Sequence, residues 1–147
     1  AGVLGPLVES GASEVVVVNR REQRARELVD RHRALAASHG VKLREAPIAD
    51  PGSAFDVVIN ATASSLAKAG SPVAVAVLRP GTLAIDLMYG PAAVPFLRWA
   101  EAAGAVARDG LGMLVEQAAE AFFVWRGVRP ETPGVLRALR ERLARAS

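Results

Sequence analysis

The stretch Val15-Val16-Val17-Val18-Asn19-Arg20-Arg21-Glu22-Gln23-Arg24 reads as a strand that passes through a cationic turn into a helix. Four consecutive valines show no alternation, which suits a strand covered on both faces, as in a parallel sheet. So short an apolar run also fits a buried helical segment, and its surroundings must decide. They favour the strand: Gly11 precedes it as a turn, and a long amphipathic pattern follows over Glu22 to His39. In that pattern Ala25, Leu28, Val29, Leu35 and Ala36 make the apolar stripe and Gly40 is the stop.

At the end of the second strand of a dinucleotide-binding fold, an acidic residue holds the ribose 2′-hydroxyl, whereas an arginine accommodates a 2′-phosphate. Here that position reads Asn19, Arg20, Arg21, with Arg24 one helical turn beyond Arg21. Three planar guanidinium forks can converge on one phosphate, so the reading is NADP in preference to NAD. The competing reading is that the arginines only solvate the first turn of a helix. Against it, cations at a helix N-terminus oppose the macrodipole, and their placement there points to a ligand anion.

Composition excludes several other classes. A chain of 147 residues, 51% hydrophobic and 22% charged, fits one core and one domain. The absence of Cys excludes a disulfide framework and cysteine-ligated metal, and fits a cytoplasmic protein. Neither a membrane-length apolar run nor a signal-peptide pattern is present. The net charge of +3 and pI of about 10.2 raise nucleic acid as a partner. Yet the arginines alternate with Glu over Glu22 to Arg33 and Arg137 to Arg145, as on solvated helix faces, and aromatic residues amount to only 5%. Nucleic acid and membrane are therefore not expected partners. His32 and His39 lie seven apart on one helix, too far for an i,i+4 metal pair, so no metal is expected.

Outward from the central stretch, strand and helix alternate. Ala1 to Ser10 reads as a helix that encloses Pro6 and closes at Gly11, with no strand before it. After the long helix come a short strand at Val41 to Glu45, a loop with Pro47, Pro51 and Gly52, and a buried strand at Phe55 to Asn60. A small-residue loop from Ala61 to Pro72 leads to a helical turn at Val73 to Leu78 and a strand at Thr82 to Leu87. Then follow a helix at Pro95 to Ala103, a strand at Ala105 to Ala107, a loop at Arg108 to Gly112, and helices at Met113 to Trp125 and Pro133 to Ala146. The expected architecture is an α/β, Rossmann-like, doubly wound parallel sheet with three α/β/α layers.

Five motifs in order resemble the C-terminal, NADP-binding half of shikimate dehydrogenase. Asn19-Arg20-Arg21 with Arg24 resembles the family's Asn-Arg-Thr/Ser turn followed by Arg; Ile59-Asn60-Ala61-Thr62 resembles its Asn-Ala-Thr strand end. Asp86-Leu87-Met88-Tyr89 resembles its Asp-x-x-Tyr, with Pro95-Phe96-Leu97 following, and Asp109-Gly110-Leu111-Gly112-Met113-Leu114-Val115-Glu116-Gln117-Ala118-Ala119 is the most specific piece.

The resemblance implies reversible, NADPH-dependent reduction of 3-dehydroshikimate to shikimate, in aromatic amino-acid (chorismate) biosynthesis. It places Asn19, Arg20, Arg21 and Arg24 at the adenosine 2′-phosphate and ribose, Thr62 at the cofactor, and Leu87, Gly110 and Met113 at the nicotinamide end. Tyr89 and Gln117 would reach the hydroxyls and carboxylate of shikimate. Each has a plainer reading: Tyr89 as a turn aromatic beside Gly90-Pro91, Met113 as core filler, Asp86 and Asp109 as loop-capping residues. Gln117 stands among Leu114, Val115, Ala118 and Ala121, where a buried amide needs partners.

Departures from the family pattern are Arg21 for Thr or Ser, Ala63-Ser64-Ser65-Leu66 for Ser-Ser-Gly, and Val94 for a common Thr. The family's first strand, its Gly-rich diphosphate loop and its catalytic Lys and Asp pair would all lie upstream of Ala1. The chain is thus expected to be a truncated or partial piece, inactive alone, whose strands at Val15 to Val18 and Val57 to Asn60 flank an empty slot with open edges. Lys42 and Lys68 do not stand in a matching context, so no catalytic residue is assigned within the chain. The expected partners are shikimate or 3-dehydroshikimate, the missing N-terminal substrate domain, toward which helices 113–125 and 133–146 would pack, and a second copy in a homodimer. A quinate/shikimate dehydrogenase-like paralogue and a non-catalytic NADP-sensing module are the alternatives.

Overall fold

Strand and helix alternate over much of the chain, except that two strands follow in succession after the long helix and two helices in succession at the end. The computed structural model describes residues 2–62, 71 and 73–146, the side chain of 146 excepted. Helices are α1 (Leu4–Glu9), α2 (Glu22–Ser38), α3 (Val94–Ala102), α4 (Leu111–Arg126) and α5 (Thr132–Ala146); strands are β1 (Glu14–Val18), β2 (Lys42–Ala46), β3 (Val57–Asn60), β4 (Leu83–Asp86) and β5 (Val106–Arg108). Single 3-10 turns lie at Val75–Val77 and Gly90–Ala92. Ala63-Ser64-Ser65-Leu66 and Lys68, named above, lie outside the described residues.

The chain divides into two units, residues 1–53 and 54–147. In the first, β1 and β2 pair in parallel, Glu14 opposite Lys42 through Val18 opposite Ala46. Leu4 and Val8 of α1, Ala36 of α2 and Val41 are buried together, and Val15, Val17, Leu28, Leu35 and Leu43 pack against them. Pro6 is tolerated because it falls in the first turn of α1, where an N–H has no helical partner. Gly11 and Gly40 follow their helices with φ of +84° and +67°, a conformation that glycine adopts without strain, so both act as the expected stops.

One expectation is corrected here. The four valines of β1 are half-buried, none fully. Among the described residues β1 pairs along one edge only, and a strand so placed leaves part of each side chain within reach of water.

The second unit holds the parallel order β3-β4-β5, with Val57 opposite Leu83 through Asn60 opposite Asp86, and Leu83 opposite Val106 through Ile85 opposite Arg108. Its core gathers Val77, Leu78, Ala84, Phe96, Ala100 and Ala105, with the Phe96 and Trp99 rings 5.3 Å apart at their centroids. A second correction concerns α4, which begins at Leu111 and so takes Gly112 into its first turn. Two glycines hide this start from propensity; burial of Leu111 and a hydrogen bond from its N–H to Asp109 Oδ1 (3.3 Å) fix it instead. α4 and α5 pack on each other around an apolar groove of about 350 Å³ lined by Leu114, Ala118, Phe122, Val135 and Leu139. The architecture is α/β and Rossmann-like, every described strand pairing parallel.

Candidate functional site

In the first unit the chain leaves β1 at Val18 and turns sharply before α2. Asn19 makes the turn: its Oδ1 accepts the N–H of Arg21 at 2.9 Å, a side-chain mimic of a backbone turn. Arg21 then stands as the residue before the helix, extended at φ −98°, ψ 96°, and its own carbonyl accepts the N–H of Arg24 at 2.9 Å. No side chain caps this helix end, which leaves the N–H groups ahead of Arg24 without a capping oxygen. Asn19, Arg20, Arg21 and Arg24 together line a recess of about 390 Å³.

Electrostatics distinguish this recess from an ordinary charged face. Arg20, Arg21 and Arg24 are exposed, and among the described residues none has a carboxylate partner. The nearest acid in sequence, Glu22, pairs with Arg26 one turn along at 3.4 Å. Three cations at an uncapped N-terminus repel one another and the helix dipole, and an anion with several oxygens relieves both.

Glu14, at the other end of β1, shows the contrasting arrangement. It takes Arg44 Nε at 2.7 Å and Lys42 Nζ at 3.3 Å, and these two hydrogen bonds, Arg44's foremost, hold its carboxyl below the usual carboxylate range.

In the second unit a polar chain closes the carboxyl ends of β3 and β4. Because Asn60 and Asp86 are opposed in register, Asn60 Nδ2 donates to Asp86 Oδ2 at 3.1 Å. Asp86, with no exposed surface, also accepts the Met88 N–H at 2.9 Å through Oδ1. Thr62 donates its hydroxyl (2.8 Å) and its N–H (3.2 Å) to Asn60 Oδ1. Asp86 therefore caps the loop after β4, as its plainer reading held.

Gly110 meets this same loop. Its N–H donates to Met88 O at 2.8 Å, and a Cβ placed on it would lie 2.2 Å from Leu87 O. Its φ is an ordinary −77°, so glycine is required by the close approach of two backbones rather than by conformation. Thr62, Leu87 and Gly110 are thus brought together around Asn60 and Asp86, and Met113 lies in the first turn of α4, half-buried. Asp109 caps Leu111 and also receives both prongs of Arg140 from α5, each at 2.6 Å.

Tyr89 is 41% exposed and precedes the 3-10 turn at Gly90–Ala92. Gln117 is exposed, since α4 buries Leu111, Val115 and Ala119, so its amide is within reach of water and needs no buried partner. Sequence reasoning missed the Asn60–Asp86 bond and Arg140, whose partners lie 26 and 31 residues away with no local signal. Among the described residues no cluster of His, Asp and Glu can hold a metal ion, and no helix is long and apolar enough to cross a membrane.

Known proteins resemble both units. A family model described as the Shikimate 5′-dehydrogenase C-terminal domain matches residues 110–140. Shikimate dehydrogenase (NADP(+)) of Methylibium petroleiphilum is 64% identical over 140 residues, covering 95% of this chain and 48% of that protein. The crystal structure of an Ael1 enzyme from Pseudomonas putida superposes with a TM-score of 0.79 at 44% identity, over 94% of this chain and 49% of that one. Shikimate 5-dehydrogenase of Thermus thermophilus, solved in complex with NADP(H) and shikimate, gives 0.69 at 34% identity, over 92% and 48%. The chain spans about half the length of the curated relatives it matches. Along nearly all of its length the chain is thus similar to shikimate dehydrogenases, and its residues 110–140 match the model of their C-terminal domain.

Proposed function

We propose that this chain is the NADP-binding part of a shikimate dehydrogenase that reversibly reduces 3-dehydroshikimate to shikimate, in aromatic amino-acid biosynthesis. The observation that carries the reading is the recess of Asn19, Arg20, Arg21 and Arg24, whose guanidiniums have no carboxylate partner among the described residues. An acid at the strand end would bind a ribose diol and repel a phosphate; Asn19 and Arg20 stand there instead. The residues therefore fit the adenosine 2′-phosphate, each arginine offering charge-assisted hydrogen bonds to its oxygens.

Bound NADPH supplies the hydride that passes from C4 of its nicotinamide to the ketone carbon of the substrate. This chain's part is to bind and orient. Thr62 and the Leu87–Met88 loop stand at the carboxyl ends of β3 and β4, where open parallel sheets receive ligands. Gly110 lets the start of α4 approach that loop, and the half-buried Leu87 and Met113 offer apolar contact to the nicotinamide ring and keep water from it. Tyr89 and Gln117, both exposed, offer a hydroxyl and an amide to the substrate's hydroxyls and carboxylate. The proton taken up by the carbonyl oxygen comes from a Lys and Asp pair supplied by the rest of the enzyme, and the chain alone is inactive.

The test is an assay of the full-length protein for NADP-dependent oxidation of shikimate, with quinate and NAD as comparators. Turnover with shikimate and NADP, and little with the comparators, is expected. NADP binding without turnover of either acid contradicts the enzymatic reading and leaves a nucleotide-sensing module.

A further inference from the structure

We propose that Arg140 is a positioning residue for the nicotinamide end of the cofactor, acting through Asp109 on the backbone of Gly110. This rests on the reading above that Leu87 and Gly110 face that end. Arg140 stands on α5, with Nη1 on Asp109 Oδ2 and Nη2 on Asp109 Oδ1, each at 2.6 Å. The Asp109 side chain is 7% exposed and the Arg140 side chain 47%. Exposed ion pairs do little because water screens them and their side chains are mobile. A two-pronged pair on a largely buried carboxylate escapes both objections, since the fork fixes orientation and the carboxylate has lost most of its water.

What that fork fixes is a junction with no slack. Asp109 Oδ1 also accepts the Leu111 N–H, tying the ion pair to the first turn of α4. One residue earlier Gly110 donates to Met88 O at 2.8 Å, with its Cα side packed directly on the Leu87 carbonyl. A tilt of the α4 start therefore moves Leu87 and Met88 with it. Among the described residues no other ion pair ties α5 to the remainder of its unit, as Arg145–Glu141 lies within the helix. α5, which carries none of the expected site residues, thereby bears on their geometry through the Arg140 guanidinium in addition to its apolar packing on α4.

The test compares full-length wild-type protein with Arg140→Met and Arg140→Lys, reading the emission of bound NADPH, kcat and KM for NADP, and melting temperature. Arg140→Met is expected to lower kcat roughly tenfold and shift the nicotinamide emission toward that of free NADPH, as a displacement under 1 Å suffices for such a loss. KM for NADP should change less than about twofold, because the phosphate contacts of Arg20, Arg21 and Arg24 are untouched. Arg140→Lys, with the charge but not the fork, should fall between the two. Emission and kcat equal to wild type in Arg140→Met, whatever its melting temperature, overturn the positioning role and leave the cofactor reading standing. Should Arg140→Met not fold, wild-type emission and kcat in Arg140→Lys overturn it equally. A wild-type protein whose addition leaves NADPH emission unchanged overturns this role and the cofactor reading together.

Discussion

The turn after β1 and the strand ends of β3 and β4 are both polar, and they treat their polar groups in opposite ways. At the turn, three guanidiniums gather on one recess and none has an acid to answer it among the described residues. At the strand ends, Thr62, Asn60, Asp86 and the Met88 N–H answer one another, and Asp86 is closed off from water. Self-satisfied polar groups build a scaffold; like charges held together without partners repel one another, and a bound anion relieves that repulsion. On the function proposed here, the first region recognises an anion and the second stays rigid so that a ligand can be placed.

That contrast sorts the expected effects of substitution. The largest belongs to the scaffold: Gly110→Ala puts a Cβ against the Leu87 backbone, which cannot swing aside. It should cost about 3 kcal/mol in urea-induced unfolding of the full-length protein, at the upper end of overpacking penalties. A loss under 0.5 kcal/mol by the same method, roughly the scatter of surface substitutions, would break the claim that this junction has no slack.

Asp86→Ala comes next. It leaves the Asn60 amide and the Met88 N–H without their acceptor, a loss of about 2 kcal/mol by the same measurement. Activity per folded molecule should also fall, since Leu87 follows directly. Unchanged stability would mean that the two donors find other acceptors and that the network is not a scaffold.

Arg21→Thr removes one of the three guanidiniums and puts a hydroxyl in its place. NADP affinity should weaken by no more than about fivefold, near the 1 kcal/mol of an exposed charge contact, because Arg20 and Arg24 remain. A larger drop in a binding titration would make Arg21 the principal anchor and revise the division of labour at the recess.

The smallest effect concerns Glu14. Its carboxyl is held below its ordinary range in the folded state, so the stability it contributes is present above that range and is lost as pH falls through the folded value. Glu14→Gln should lower the melting temperature slightly at neutral pH and not at all in acid. A difference that persists in acid would show that packing, not charge, is responsible.

The sequence made some of this legible and not the rest, for physical reasons. Periodicity placed α2 because Ala25, Val29 and Ala36 really are its buried face, and Gly40 ends it in a conformation no side chain favours. The clustering of arginines at the turn was legible because its signal is local: residue type, charge and helix position all lie within six residues. The start of α4 was not, since Gly110 and Gly112 speak against a helix while the decisive contacts, to Met88 and from Arg140, come from elsewhere in the chain. The half-burial of the β1 valines escaped for a related reason, because composition reports what a strand can bury and not which edges are paired. The apolar neighbours of Gln117 left its burial open, and its place on the helix, away from Leu111, Val115 and Ala119, turns it to the exposed side.

The central claim is that the Asn19–Arg24 turn reads a phosphate, and its most direct test is the affinity of full-length wild type and Arg20→Ala for NADP and for NAD. Loss of charge-assisted hydrogen bonds worth roughly 1.5 to 3 kcal/mol predicts that the substitution weakens NADP at least tenfold and leaves NAD nearly unchanged. An equal loss for both cofactors, or none for either, would contradict the account.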